Sequence, residues 1–358
     1  MLHSLILTCF LAAPVGAIPS TATLQGVDVF RSERLTAVKV SAVLGRKIAR
    51  YVSLLNAGGP ALKRAERLKA EMESQVRSLG DFAYVSLHVG RHVTASEYAI
   101  TITFDVVDAQ DAATRMPFGP RPMGRLGDPG KLLARWRRYA ALGAAMRRRG
   151  DLIVERPACA GFYCPWLAQT EEVKAFDRSF AAEVPLHETA LTRVLGEDSD
   201  PRKRAAAAYL ISYSTDGKAL AERLIRAASD PDPGVRSAAL TVLADLATYA
   251  RTPFVDPPRL LSALDYPSTQ DRVNALAVFA GLVSTGGHKA YVASRASTQL
   301  LRLLRALDPS VRDLAYTLLG MVSGQDLAPQ DFSGWEKWAA AVSSGTLPSD
   351  SSDAIHDR

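Results

Sequence analysis

At 358 residues, with 43 Lys and Arg against 37 Asp and Glu, the chain is long enough for two or three domains and carries a formal net charge of only +6. A hydrophobic fraction of 47% and an aromatic fraction of 7% are those of an ordinary soluble protein, which excludes the compositionally extreme classes. No G-x-S-x-G, G-x-x-x-x-G-K, H-E-x-x-H or Gly-rich dinucleotide loop occurs, so the familiar local signatures of hydrolases, nucleotide-binding proteins and zinc peptidases are absent.

Residues 1–17 form an uncharged run through Leu5-Ile6-Leu7 and Phe10-Leu11-Ala12-Ala13 to Ala17. It is too short to span a bilayer as a helix and fits a secretory signal peptide cleaved after Ala17, although His3 stands where Lys or Arg is usual. Export to the periplasm, cell envelope or medium is the expectation; a buried apolar N-terminal segment is the alternative. Cys9 lies inside the run and not at its end, which argues against a lipid anchor.

Residues 18–109 read as an α/β domain. Val38, Val40 and Ala42 alternate with Lys39 and Ser41, predicting a short strand. A helix over Ile48–Leu55 ends at Gly58-Gly59, and Pro60 opens a second with Leu62, Ala65, Leu68, Met72, Val76 and Leu79 on one face, stopped by Gly80. Two alternating runs, Val85–Val89 and Tyr98–Val106, predict a hairpin. The order β-α-α-β-β, with Gly80-Asp81-Phe82-Ala83-Tyr84-Val85 before one strand and Phe104-Asp105-Val106-Val107-Asp108 in the last, resembles a POTRA domain. That resemblance implies an exposed strand edge that docks extended peptide by strand addition. No β-barrel segment follows, as it would in outer-membrane assembly proteins. His88 and His92 flank the expected turn with no ligand-spaced acid or thiol nearby, so no metal site is expected.

Residues 110–184 shift in composition. Met116–Gly124 reads as a Pro- and Gly-rich linker, followed by a helix from Lys131 to Arg149. Arg115, Arg121, Arg125, Lys131, Arg135, Arg137, Arg138, Arg147, Arg148, Arg149 and Arg156 face only Asp128, Asp151 and Glu155 over this stretch. The candidates for binding an anionic membrane surface or an acidic protein are Arg135, Arg137, Arg138, Arg147, Arg148 and Arg149; the alternative is a solvated helix face. Trp136 and Tyr139 read as packing residues, and an exported chain is not expected to meet nucleic acid. Cys159 and Cys164 are the only cysteines after the N-terminal run, and in an oxidising compartment their expected state is a disulfide.

Residues 185–325 contain a repeated helix start. Asp200-Pro201 precedes Arg204 and Ala207; Asp232-Pro233 precedes Arg236 and Ala239; Ser268 precedes Arg272 and Ala275; Asp308-Pro309 precedes Arg312 and Ala315. An N-cap acid and a Pro at the first helical position satisfy or remove orphaned donors, and Ser268 with Asp271 has the spacing of a capping box. Apolar residues follow at helical spacing, and partner helices are expected over Leu191–Leu195, Leu220–Ala228, Leu260–Leu264 and Leu300–Leu307. A period of roughly 30–40 residues predicts stacked helix pairs.

The D-P-x-V-R-x-x-A pattern resembles HEAT repeats, including the short HEAT-like kind of phycobilisome lyases; Lys203 and Asp271 depart from it where Val is usual. The resemblance implies a ladder in which Arg204, Arg236, Arg272 and Arg312 pair with caps such as Asp200, Asp232 and Asp308 of neighbouring repeats. Trp335 and Trp338 mark a capping helix within 326–342, and the Ser- and Asp-rich stretch 343–358 is expected to be disordered.

The expected fold class is therefore α+β and multidomain, a small POTRA-like domain followed by a HEAT-like α-helical solenoid. The expected function is an exported, non-catalytic scaffold that binds a protein partner, with no cofactor or metal. The alternative is a cytosolic HEAT-type lyase or a subunit of an enzyme complex.

Overall fold

The computed structural model describes residues 21–93, 97–153, 155–158, 160–250, 253–285 and 287–345; the expected signal peptide 1–17 and all but Ser343–Gly345 of the tail 343–358 lie outside them. The protein is mixed α+β, a small three-stranded sheet followed by a mostly helical body that is compatible with a helical repeat. It divides into two compact units, one of residues 1–114 with 305–312 and one of 115–304 with 313–358.

The first unit runs β1 (Thr23–Phe30), α1 (Ala37–Ala57), α2 (Ala61–Arg77), β2 (Phe82–Val93) and β3 (Tyr98–Asp108). The sheet order is β1-β3-β2, with β1 parallel and β2 antiparallel to the central β3. The element order is the expected one, but the first strand lies earlier than expected. Residues 38–42 are the start of a helix, whose N-cap Thr36 accepts from the Lys39 N–H. Five alternating residues cannot distinguish the two periods. The longer series Val40, Leu44, Ile48, Tyr51 and Val52 is buried at helical spacing, while Val38 is 80% exposed. Gly58, at φ 61°, ends the helix in a conformation open to glycine.

One face of β3, formed by Ile100, Ile102, Phe104 and Val106, packs on Val40, Leu44 and Ile48 of α1 and on Ala65, Leu68, Met72 and Val76 of α2. Burial of these side chains stabilises the unit by roughly 1.5–3 kcal/mol for each large aliphatic or aromatic residue. Asp108, at the end of β3, fixes the turn after β1 by accepting from the Ser32 hydroxyl (2.6 Å) and the Glu33 N–H (2.9 Å).

A one-turn helix, α3 (Ala112–Arg115), leads into the second unit. There follow α4 (Leu132–Arg149), α5 (Glu171–Glu197), α6 (Pro201–Leu210), α7 (Gly217–Ala227), α8 (Pro233–Tyr249), a 3₁₀ helix over Pro257–Asp265, α9 (Thr269–Ser284), α10 (Lys289–Leu304), α11 (Pro309–Ser323) and α12 (Phe332–Ser343). Two of the repeated starts behave as local chemistry dictates. Asp200 accepts from the Arg202 N–H, and Asp232 from those of Gly234 and Val235, each with Pro at the first helical position.

The third start differs. Ser268 makes no side-chain cap bond, so the expected capping box is absent. The expected partner helix at Leu260–Leu264 is a 3₁₀ turn, as suits a short segment opened by two prolines without N–H groups. Helix packing steps along the chain: α5 lies against α6, α6 against α8, and α8 against α9. Trp335 of α12 is fully buried and donates its indole N–H to the Ala328 carbonyl at 3.0 Å.

Candidate interaction surface

Arg204, Arg236 and Arg272 are buried, and the acids that Arg204 and Arg236 reach are not the caps. Arg204 donates from Nε and Nη2 to both carboxylate oxygens of Asp230, at 2.9 and 2.8 Å. Arg236 reaches Asp271 at 2.8 Å. Each arginine also donates Nη1 to a carbonyl six residues behind it: Arg204 to Asp198, Arg236 to Asp230 and Arg272 to Tyr266. The side chain thus closes its own loop, and Arg204 and Arg236 reach forward to an acid of the following helix start. Asp200 and Asp232 instead cap their own helices through single carboxylate oxygens, near which the first-turn amides lie. In the fourth start, Asp308 accepts from the Ser310 N–H, and its Oδ2 lies 3.1 Å from His88 Nε2 within the first unit. Burial would raise the Asp308 pKa, but the bonds from His88 and Ser310 hold it below the usual carboxylate range. Arg312 is half-buried and donates its backbone N–H to the Asp308 carbonyl.

The Pro- and Gly-rich stretch is not a free linker, and Arg115 belongs to no exposed patch. Arg115 is 1% exposed and donates Nε to the Asp265 carbonyl. From there the chain crosses the helix starts in reverse order. The Phe118 ring lies 3.9 Å from the Arg236 guanidinium, and the Gly119 N–H donates to Ser229. Gly124 exchanges bonds with Glu197 and Ser199, at 2.8 and 2.7 Å. Only glycine fits at 124, since a Cβ there would lie 2.5 Å from the Glu197 carbonyl oxygen. Leu126 then donates to Asp198 and accepts from Lys203 Nζ. Burial works to raise the Asp198 pKa, but the N–H groups of Asp200 and Leu126 and the Lys203 ammonium hold it low.

The six candidate arginines of α4 divide. Arg135 is tied to α5, bidentate to Glu183, and this bond raises its pKa. Arg149 pairs with Asp151 at 2.8 Å. Arg137, Arg138, Arg147 and Arg148 are exposed and form no ion pair with the described residues. The last two lie in the final turn of α4, where cations favour the helix dipole. The opposite face of α4 is locked. Trp136 stacks on Tyr209 at 5.0 Å, and Tyr139 and Phe180 pack around it. Asp177 accepts from the hydroxyls of Tyr213 (2.7 Å) and Tyr139 (3.3 Å); burial raises its pKa against those bonds. Periodicity along α4 alone could not locate this cluster, because its rings come from four separate segments.

The β2 edge is partly closed. The Leu87 N–H donates to Glu73 and the Val85 carbonyl accepts from Arg77, both of α2. Antiparallel alternation then leaves Val89, Arg91 and Val93 as the outward-facing positions of the same edge. His88 and His92 are strand residues, not turn residues. Among the described residues no group of three His, Cys, Asp or Glu side chains is close enough to hold a metal. No described helix is long and apolar enough to cross a membrane. Cys164 is buried and donates its N–H to Asp245, while Cys159 lies outside the described residues. Comparison with protein-family models and with curated proteins finds no match.

Proposed function

We propose that the chain is an exported, non-catalytic interaction scaffold, a POTRA-like unit followed by a HEAT-like repeat body, whose partner is a protein segment of acidic character. The observation that carries this reading is the set of four exposed arginines, Arg137, Arg138, Arg147 and Arg148, without acidic partners among the described residues, on a helix held rigidly by a buried aromatic cluster. A rigid cationic surface accelerates encounter with an acidic partner more than it slows dissociation. Strand addition of an extended peptide is confined in this proposal to Val89–Val93, beyond the stretch closed by α2.

The test begins with pull-down from envelope extract using the full chain, followed by kinetics with the captured partner. Arg147→Glu with Arg148→Glu should slow association and leave dissociation nearly unchanged. Raising salt should do the same, as the Debye length falls from about 10 Å at 0.1 M to about 3 Å at 1 M. Association that ignores both changes overturns the acidic-partner reading; recovery on anionic vesicles alone replaces the protein with a membrane surface. Export, and with it a Cys159–Cys164 bridge, is tested by sequencing the mature N-terminus and by alkylation without reductant, which should label neither thiol.

A further inference from the structure

Beside the first residue of α7 and the last of α8 lies a cavity of about 350 Å³, within the range of roughly 300–1,000 Å³ of small-molecule sites. Its lining includes Arg156, Phe162, Thr215, Gly217, Tyr249 and Phe254. Phe162 and Phe254 meet edge to face at 6.3 Å, and the Arg156 guanidinium lies 4.3 Å from the centre of the Tyr249 ring. Gly217, the first residue of α7, makes the wall possible: a Cβ there would stand 2.5 Å from the Phe254 ring. The Phe162 loop is pinned by its N–H to the Ser212 carbonyl at 2.8 Å.

Arg156 is the unusual member. It is half-buried and makes one hydrogen bond, from Nη2 to the Phe162 carbonyl at 3.0 Å. Among the described residues its Nε is buried with no partner, and it forms no ion pair. A guanidinium offers five N–H groups in a fixed fork that matches a carboxylate, and here the Nε–H is a buried donor left for one. The nearby carboxyl of Asp245 accepts from the Cys164 N–H instead. A buried donor without a partner costs its desolvation, and a bound acceptor would recover it. One cation suits one negative charge. A phosphate dianion is disfavoured because the adjoining start of α7 is already capped by Asp216, which accepts from the Ala219 N–H.

We propose that this cavity is a binding site for a small aromatic carboxylate, with Arg156 holding the carboxylate and Phe162, Tyr249 and Phe254 enclosing the ring. The ligand is either a free acid or the C-terminal aromatic residue of a peptide, since both present the same groups. The experiment titrates the full chain with 4-fluorophenylacetate and its neutral isostere 4-fluorophenylacetamide, read by fluorine NMR. The acid should bind at least about tenfold more tightly than the amide, the loss expected when a charge-assisted bond is replaced by a neutral one. Arg156→Gln should erase that preference, and Arg156→Lys should retain part of it. The acid–amide comparison on the unaltered protein needs no variant, so a poorly folded Arg156→Gln chain does not remove the test. Acetyl-Gly-Phe with a free or an amidated terminus distinguishes the sources; preference for the free-terminus peptide over 4-fluorophenylacetate assigns the site to a chain end. Equal binding of acid and amide, or no binding of either the acid or the free-terminus peptide up to about 10 mM, weaker than roughly 3 kcal/mol, overturns the proposal.

Discussion

The arginines of the first three repeated helix starts and four of those on α4 are one residue type with opposite fates. Arg204, Arg236 and Arg272 are buried to within 2% exposure, while Arg137, Arg138, Arg147 and Arg148 stand in solvent. Local sequence explains part of the difference. In the first three starts the arginine four residues after the cap folds back on its own loop and finds a carbonyl six residues behind it. The α4 arginines follow no such loop, and the other face of their helix is taken by aromatic rings. A basic stretch in a sequence therefore counts charges without saying which of them a partner could meet.

The largest expected effect breaks the buried side of that comparison. Arg236→Ala removes the guanidinium that pairs with the fully buried Asp271 and should cost about 3–5 kcal/mol in urea unfolding. Arg148→Ala should change stability by no more than about 0.5 kcal/mol. Equal losses from the two would remove the distinction.

Asp245 is a half-buried acid with no cation of the described residues in hydrogen-bonding reach, and it sharpens the comparison from the acidic side. Burial pushes its pKa up to about 6, against the opposing effects of the Cys164 N–H and Arg156. The native state then holds this proton more tightly than the unfolded chain, so Asp245 costs stability above pH 6 and the cost fades as pH falls toward 4. Asp245→Asn should therefore be more stable than the unaltered protein at pH 7.5 by about 2–3 kcal/mol, and the gap should close by about pH 4. A gap that does not vary with pH would show that the side chain titrates normally.

Ala239 tests the packing that brings the ladder residues within reach. It is fully buried on α8, and Ala239→Leu should overpack the contact and cost about 1–3 kcal/mol by thermal melting. An unchanged melting temperature would mean that α8 presents another face.

The smallest effect on folding belongs to the exposed side. Arg147→Glu with Arg148→Glu should leave stability within about 1 kcal/mol, because exposed charges are screened. A large loss there would mean that these side chains support the fold.

Where local bonds decide, the sequence alone determined the outcome. The starts at Asp200-Pro201 and Asp232-Pro233 rest on bonds spanning two or three residues, and the residues that predict them are the ones that make them. The helical faces of α2 and α8 and the hairpin of β2 and β3 were legible for the same reason, since their periodicity is written into adjacent residues. Tertiary structure alone decided the rest. It placed the first strand at Thr23–Phe30, because a parallel partner for β3 is chosen across some 75 residues of chain. It also laid residues 115–126 back across the helix starts. The two departures from the repeat, Lys203 and Asp271, show why. Lys203 grips the Leu126 carbonyl and Asp271 receives Arg236, contacts across 77 and 35 residues. A repeat pattern records what each unit does for itself; the residues that break it are satisfied by groups that only packing brings near.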